Sequence, residues 1–163
     1  MKKLLFFTSI ILLFSCTSKV EKEFSEVALK NNLLEISGTL TSLEDVLNLH
    51  KGKKVLIDVW ASWCADCVRG FPKVKELQQE FPEVAFLFLS VDKNINAWKK
   101  GISRFKLTGE HYLVENDFDS DLSDFLDLSW IPRYLVIDEK GKISLFKATK
   151  AADEKIVKAL NKS

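Results

Sequence analysis

Val55-Leu56-Ile57-Asp58-Val59-Trp60-Ala61-Ser62-Trp63-Cys64-Ala65-Asp66-Cys67 decides how the rest of the chain is read. Its first six residues are an apolar run rich in β-branched side chains, which predicts a buried strand. Ala61-Ser62-Trp63 is a short link. After it, Val68, Phe71, Val74, Leu77 and Phe81 recur at helical spacing. Two cysteines are therefore predicted where a central strand hands over to a helix N-terminus. The free N–H groups of a first helical turn favour negative charge, and so favour thiolate over thiol at Cys64. Cys67, one turn on, can close a disulfide onto it. The stretch predicts a dithiol/disulfide exchange device, with Cys64 as nucleophile and Cys67 as the sulfur that resolves the mixed disulfide.

Other uses of such a pair make different demands. A structural zinc site wants four ligands, and beyond the pair the chain offers only His50 and His111, at no recognised spacing. Covalent haem attachment wants histidine after the second cysteine, where Val68 stands. A static disulfide remains open. No cofactor is expected.

A chain of 163 residues predicts one domain. With 47% hydrophobic and 29% charged residues, it has the makings of a core and a charged surface. A net charge of +1 leaves no basic excess to neutralise phosphates, which argues against a nucleic-acid partner.

Residues 1–15 read as an export signal. Met1-Lys2-Lys3 is a positive start, and Leu4 to Phe14 is an apolar segment. That segment is short of the roughly 20 residues a spanning helix needs. Leu13-Phe14-Ser15-Cys16 then places a small residue directly before a cysteine, which resembles a bacterial lipoprotein signal. The resemblance implies cleavage before Cys16 and lipid on it. An ordinary secretory signal or a short anchor is the alternative. Lipid on Cys16 would leave Cys64 and Cys67 as a pair with no thiol over. Residues 16–32 read as a partly helical tether, and 33–163 as the domain.

Along the domain, Leu34, Ile36 and Leu40 alternate with polar residues around Gly38, predicting an edge strand or hairpin. Ser42-x-x-Asp45 predicts a cap opening a helix to about Leu49. The helix after the cysteines is predicted to run to Phe81, with Pro72 inside it and Pro82 ending it. Val84 to Val91 is a second continuous apolar run, a buried parallel strand. Ile95, Trp98, Ile102 and Phe105 mark an amphipathic helix over Asn94 to Phe105. A strand at Tyr112 to Val114 and a helix at Leu122 to Leu128 follow. A hairpin of Tyr134 to Ile137 with Lys142 to Lys147 and a helix from Ala151 to Asn161 close the chain. The order predicts an α/β fold, a mixed central sheet flanked by helices on both faces.

The run from Leu56 to Cys67, with Trp130-Ile131-Pro132-Arg133 further on, resembles the thioredoxin superfamily. The whole pattern is most similar to its membrane-tethered TlpA/ResA-like branch, over roughly residues 33 to 160. The resemblance implies a thioredoxin-like fold and a cis-proline at Pro132 facing the disulfide. It implies backbone hydrogen bonds from Ile131 to an extended substrate segment. It also implies a cell-envelope enzyme. The implied substrates are misoxidised exported proteins or apocytochrome cysteines. An ordinary trans turn is the alternative at Pro132. Trp63 would offer substrates an apolar landing surface, Trp60 reads as core, and Trp130 as either.

Asp58 lies within the apolar strand. If buried, it should have a raised pKa and could pass a proton to or from Cys67, and thioredoxins carry an acid here. If strand alternation turns it outward, it is a surface acid. Two departures from the branch stand out. Ala65-Asp66 replaces the frequent x-Pro, and Asp66 beside the thiolate should make the pair more reducing. Gly70 stands where many relatives carry glutamate, so Asp58 would take over that role. From Thr108 through Pro132 there is no Lys or Arg, while seven acidic residues fall there. That tract reads either as one flank of a substrate groove favouring basic partners or as a solvated face.

The leading expectation is an exported, lipid-anchored thiol–disulfide oxidoreductase. It would work mainly in the reducing direction on cysteine-containing exported proteins, supplied by a membrane electron donor. A thiol peroxidase is the alternative enzyme, and a copper-delivery module of similar fold the non-enzymatic one.

Overall fold

The structure is a computed structural model and describes residues 22–162. The expected export signal and Cys16 lie outside the described residues. Among the described residues, no helix is long and apolar enough to cross a membrane.

The chain begins with a helical turn, α1 (Glu26–Leu29), followed by strands β1 (Asn32–Glu35) and β2 (Leu40–Ser42) and helix α2 (Leu43–Leu49). The central units are β3 (Val55–Trp60), α3 (Ala65–Glu80), β4 (Ala85–Ser90), α4 (Ile95–Phe105) and β5 (Glu110–Val114). A 3-10 turn at Asp117–Asp119, α5 (Asp121–Phe125), β6 (Arg133–Ile137), β7 (Ile143–Ala148) and α6 (Glu154–Asn161) complete it.

The seven strands form one sheet in the order β2-β1-β5-β4-β3-β6-β7. β3, β4 and β5 run parallel, and the other pairings are antiparallel. Every residue of β3 is buried. A strand whose two sets of side chains are both buried must be covered on both faces, which accounts for its unbroken apolar run. This is the expected thioredoxin-like architecture.

Local chemistry sets the element ends. The Ser42 side chain accepts the Asp45 N–H, as its spacing predicts, and Asn94 caps α4 through the N–H groups of Asn96 and Ala97. Pro72 lies inside α3, and Phe81 closes that helix just before Pro82.

The hairpin expected around Gly38 is present as β1 and β2, with β2 at the sheet edge. Leu33 is its fully buried residue, and Ile36 and Leu40 are exposed, because β1 lies between β2 and β5 and the sheet's own neighbours decide which face packs. Two expectations need revision. The closing helix starts at Glu154, capped by Asp153, rather than at Ala151. The segment read as a tether packs on the domain. Ala28 is buried, Phe24 packs at a tilt against Phe125 at 5.2 Å, and the Ile143 N–H reaches the Lys22 carbonyl.

Candidate functional site

The site is built where β3 becomes α3. Cys64 is the N-cap of α3, and its Sγ accepts the Cys67 N–H at 3.1 Å. One of the free N–H groups of the first turn is thus aimed at the sulfur, the arrangement that favours charge there. Cys64 and Cys67 are joined by a disulfide, with Cα atoms 5.3 Å apart. Cys64 retains 5% of its surface and Cys67 none, so an incoming group meets Cys64 first.

The loop that presents them is anchored from below. The Asp92 carboxylate, buried after β4, accepts the Ser62 N–H at 2.8 Å, the Ser62 hydroxyl at 2.7 Å and the Ser90 hydroxyl at 2.8 Å. A buried carboxylate with three donors is well satisfied, and it holds the Ala61-Ser62-Trp63 link rigid. Gly101 of α4 lies so close that a Cβ there would stand 2.9 Å from the Ser62 Cβ. The sequence reading missed Asp92. Its signal was an acid directly after a buried apolar run, with Ser two residues earlier.

The second wall comes from the loop before β6. The Ile131–Pro132 bond is cis, and the Ile131 carbonyl oxygen lies 3.7 Å from the Cys64 Sγ. Arg133, buried, donates from Nη1 to the Leu126 carbonyl at 2.6 Å and pins this loop to the end of α5. An apolar groove of about 420 Å³ opens over the disulfide. Trp63 and Trp130, 62% and 63% exposed, form its rims, and Phe118 and Ile131 line it. Exposed tryptophans on both sides of one sulfur make an apolar landing surface. Trp60, by contrast, is core, packed edge-on against Phe71 at 5.5 Å.

The acidic tract is divided. Glu110 pairs with His50 at 3.1 Å and Asp127 with Lys147 at 2.7 Å. Asp119, Asp121 and Asp124 are exposed. Besides Trp130 and Ile131 at its end, the tract contributes Phe118 to the groove, an aromatic between two acids that the sequence reading passed over. Asp66 is ion-paired with Arg69 one turn on, which screens part of the charge it brings to the helix start. His111 is buried, stacked on Phe88 at 4.9 Å, and burial lowers its pKa. Among the described residues, no three His, Cys, Asp or Glu side chains are grouped to hold a metal ion.

Asp58 lies inside. It is 2% exposed, and neither carboxylate oxygen has a hydrogen-bond partner. Burial lifts its carboxyl well above the ordinary carboxylate range. The fold therefore prefers the protonated form. That contribution to stability is whole below the unfolded-state pKa and is lost as pH rises through the folded-state pKa. Gly70, one turn beyond Cys67, faces the Tyr134 hydroxyl. A Cβ at Gly70 would stand 2.8 Å from that oxygen.

Comparison with known proteins agrees with this geometry. A family model described as thioredoxin-like matches residues 52–143. The thioredoxin-like protein YneN of Bacillus subtilis is 30% identical over 116 residues, 69% of this chain and 64% of YneN. The thiol-disulfide oxidoreductase ResA of the same organism is 28% identical over 112 residues, 68% of this chain and 59% of ResA. The chain thus matches under two thirds of the length of either relative. The thioredoxin domain of a Bacteroides vulgatus thiol-disulfide oxidoreductase superposes with a TM-score of 0.68 at 25% identity, covering 83% of this chain and 96% of that one.

The state of Asp58 yields a pH-dependent prediction. Asp58→Asn should raise stability at neutral and alkaline pH, because it removes the work of protonating or ionising a desolvated carboxyl there. The gain should shrink toward acid pH, where Asp58 is already neutral. Urea unfolding of both proteins across pH checks this, and parallel pH curves would count against a buried, titrating Asp58.

Proposed function

The chain belongs to the thioredoxin-like family, and from that premise we propose that it is a thiol–disulfide oxidoreductase acting on cysteine-containing proteins through Cys64 and Cys67. The observation that carries this reading is the Cys64 sulfur at the helix cap, taking the Cys67 N–H at 3.1 Å beneath the tryptophan-rimmed groove.

In the reducing direction the Cys64 thiolate attacks a substrate disulfide. A bond forms between Cys64 and one substrate sulfur, and the other leaves with the electron pair. Cys67 then gives its proton to the Asp58 carboxylate and attacks Cys64, which releases the bound sulfur. The substrate strand lies along Ile131 and Pro132, with Trp63 and Trp130 gripping its apolar side chains. Each turnover leaves the Cys64–Cys67 disulfide, so a membrane electron donor must return two electrons.

The reducing direction rests on Asp66. Its negative charge opposes the helix terminus at Cys64, although the ion pair with Arg69 offsets part of it. We further place the protein in the cell envelope, with residues 1–15 removed, lipid on Cys16 and residues 16–32 leading to the domain. Supporting this are the positive start, the short apolar segment and Ser15-Cys16.

Three outcomes test the proposal. Cys67→Ala should accumulate mixed disulfides through Cys64, visible as reductant-sensitive adducts, whereas Cys64→Ala should form none. Adducts on both variants or on neither would refute the assignment. Equilibration with glutathione should give a reducing potential. Asp66→Asn should then raise it by roughly 10–30 mV, since about 30 mV is tenfold in the equilibrium constant. A strongly oxidising wild-type value would reverse the direction. Finally, Cys16→Ser should move the protein from the membrane fraction to the soluble one, and an unchanged distribution would remove the anchor.

A further inference from the structure

Resolution of the mixed disulfide leaves a proton on Asp58 if the proposed reaction is right, and that proton must reach water before the next cycle. Asp58 has no exposed route of its own, because it is 2% exposed and has no partner on either oxygen. The residue beside it is Tyr134. The two are paired across β3 and β6, Asp58 opposite Tyr134, so their side chains stand on one face of the sheet as nearest neighbours. Tyr134 is fully buried, and its hydroxyl also lacks a partner. Buried hydroxyls and carboxylates are almost always satisfied. No hydrogen bond joins them, and one bridging water would connect the two unsatisfied groups.

The far end of Tyr134 leads outward. Its hydroxyl lies against Gly70, and it shares with Gly70 and Pro132 the floor of a cleft of about 530 Å³ between α3 and the turn after β7. The ionisable groups around it are few. Asp58 faces it from β3, Asp66, Arg69 and Lys73 line the cleft from α3, and Lys150 lines it from the turn. Only Asp58 is buried against the ring.

We propose that Tyr134 is a proton relay between Asp58 and the cleft at Gly70, and that residue 70 lacks a side chain so that the relay hydroxyl has room. The transfer balances without a charged tyrosine. Through the bridging water the Tyr134 oxygen gains the proton that Asp58 gives up, as its own O–H proton passes to a water drawn in from the cleft, leaving Asp58 as carboxylate and Tyr134 neutral. Tyrosinate is not an intermediate, because burial and the neighbouring Asp58 charge both push the phenol pKa up. Tyr134 acts through Asp58 and touches no substrate, so it is a positioning residue.

The inference rests on the dithiol reading above, and one experiment separates the two. The reduced full-length protein is mixed with an aromatic disulfide whose released thiolate absorbs, and two phases are followed by stopped flow. The first reports attack by Cys64, and the second reports resolution by Cys67. In Tyr134→Phe the first phase should keep its rate. The second should slow by about tenfold, less than the roughly 100-fold or more of a direct general acid–base group because Tyr134 acts through Asp58. Its pH profile should shift, and its solvent isotope effect should shrink. Thermal stability should hold or rise, since the variant removes an unsatisfied buried hydroxyl. Gly70→Ala should slow the second phase as well, and should add nothing in the Tyr134→Phe background. A second phase with wild-type rate and pH profile in Tyr134→Phe would overturn the relay and leave the dithiol exchange standing. A wild-type protein that shows neither phase would overturn both.

Discussion

The burial of β3 on both faces is the constraint from which the site follows. A strand at the middle of a mixed sheet has no side facing water, so whatever it carries is taken out of solvent. In this chain it carries a carboxylate. Asp58 could not ionise there at the cost of an exposed acid, and its raised pKa is the electrostatic price of its place in the sheet. The same strand ends just before α3 begins, which leaves the cysteines where a buried strand gives way to a helix start.

Two opposed electrostatic environments therefore sit a few residues apart. At Cys64 a helix terminus directs an N–H group at the sulfur and favours negative charge. At Asp58 the apolar surroundings disfavour it. A sulfur beside a helix terminus and a buried carboxylate whose raised pKa makes it a ready proton acceptor are the complementary pair that the proposed exchange requires. The loop between them gains rigidity from Asp92, which accepts two hydrogen bonds from Ser62 and one from Ser90. The groove above gains its apolar character from Trp63, Trp130 and Phe118, brought from three separate stretches of chain.

Much of this was legible in order of residues. The strand, the helix and the cysteine spacing carried strong local patterns, as did the cap at Ser42. Where local pattern was weak, the reading slipped. Around Gly38 the alternation gave the hairpin but not which of its residues pack inward, since β5 decides which side of β1 is covered. Asp58 could be read as inside or outside, because a run apolar on both faces gives no phase to alternate against. Asp92, Phe118 and Tyr134 were missed for a common reason. Each acquires its meaning from a neighbour distant in sequence, Ser62, Trp63 and Gly70 respectively.

By itself the sequence determined an α/β order around a mixed sheet and the sulfur pair at a strand–helix junction, because periodicity and spacing act over a few residues. The thioredoxin-like reading came from the resemblance of Leu56 to Cys67 and Trp130 to Arg133. Only the tertiary structure decided that Asp58 is buried without a partner, that the Ile131 carbonyl faces Cys64, and that Tyr134 presses its hydroxyl against Gly70. Those facts depend on strand register and on how closely α3 approaches the sheet. Both are settled when the whole core closes at once.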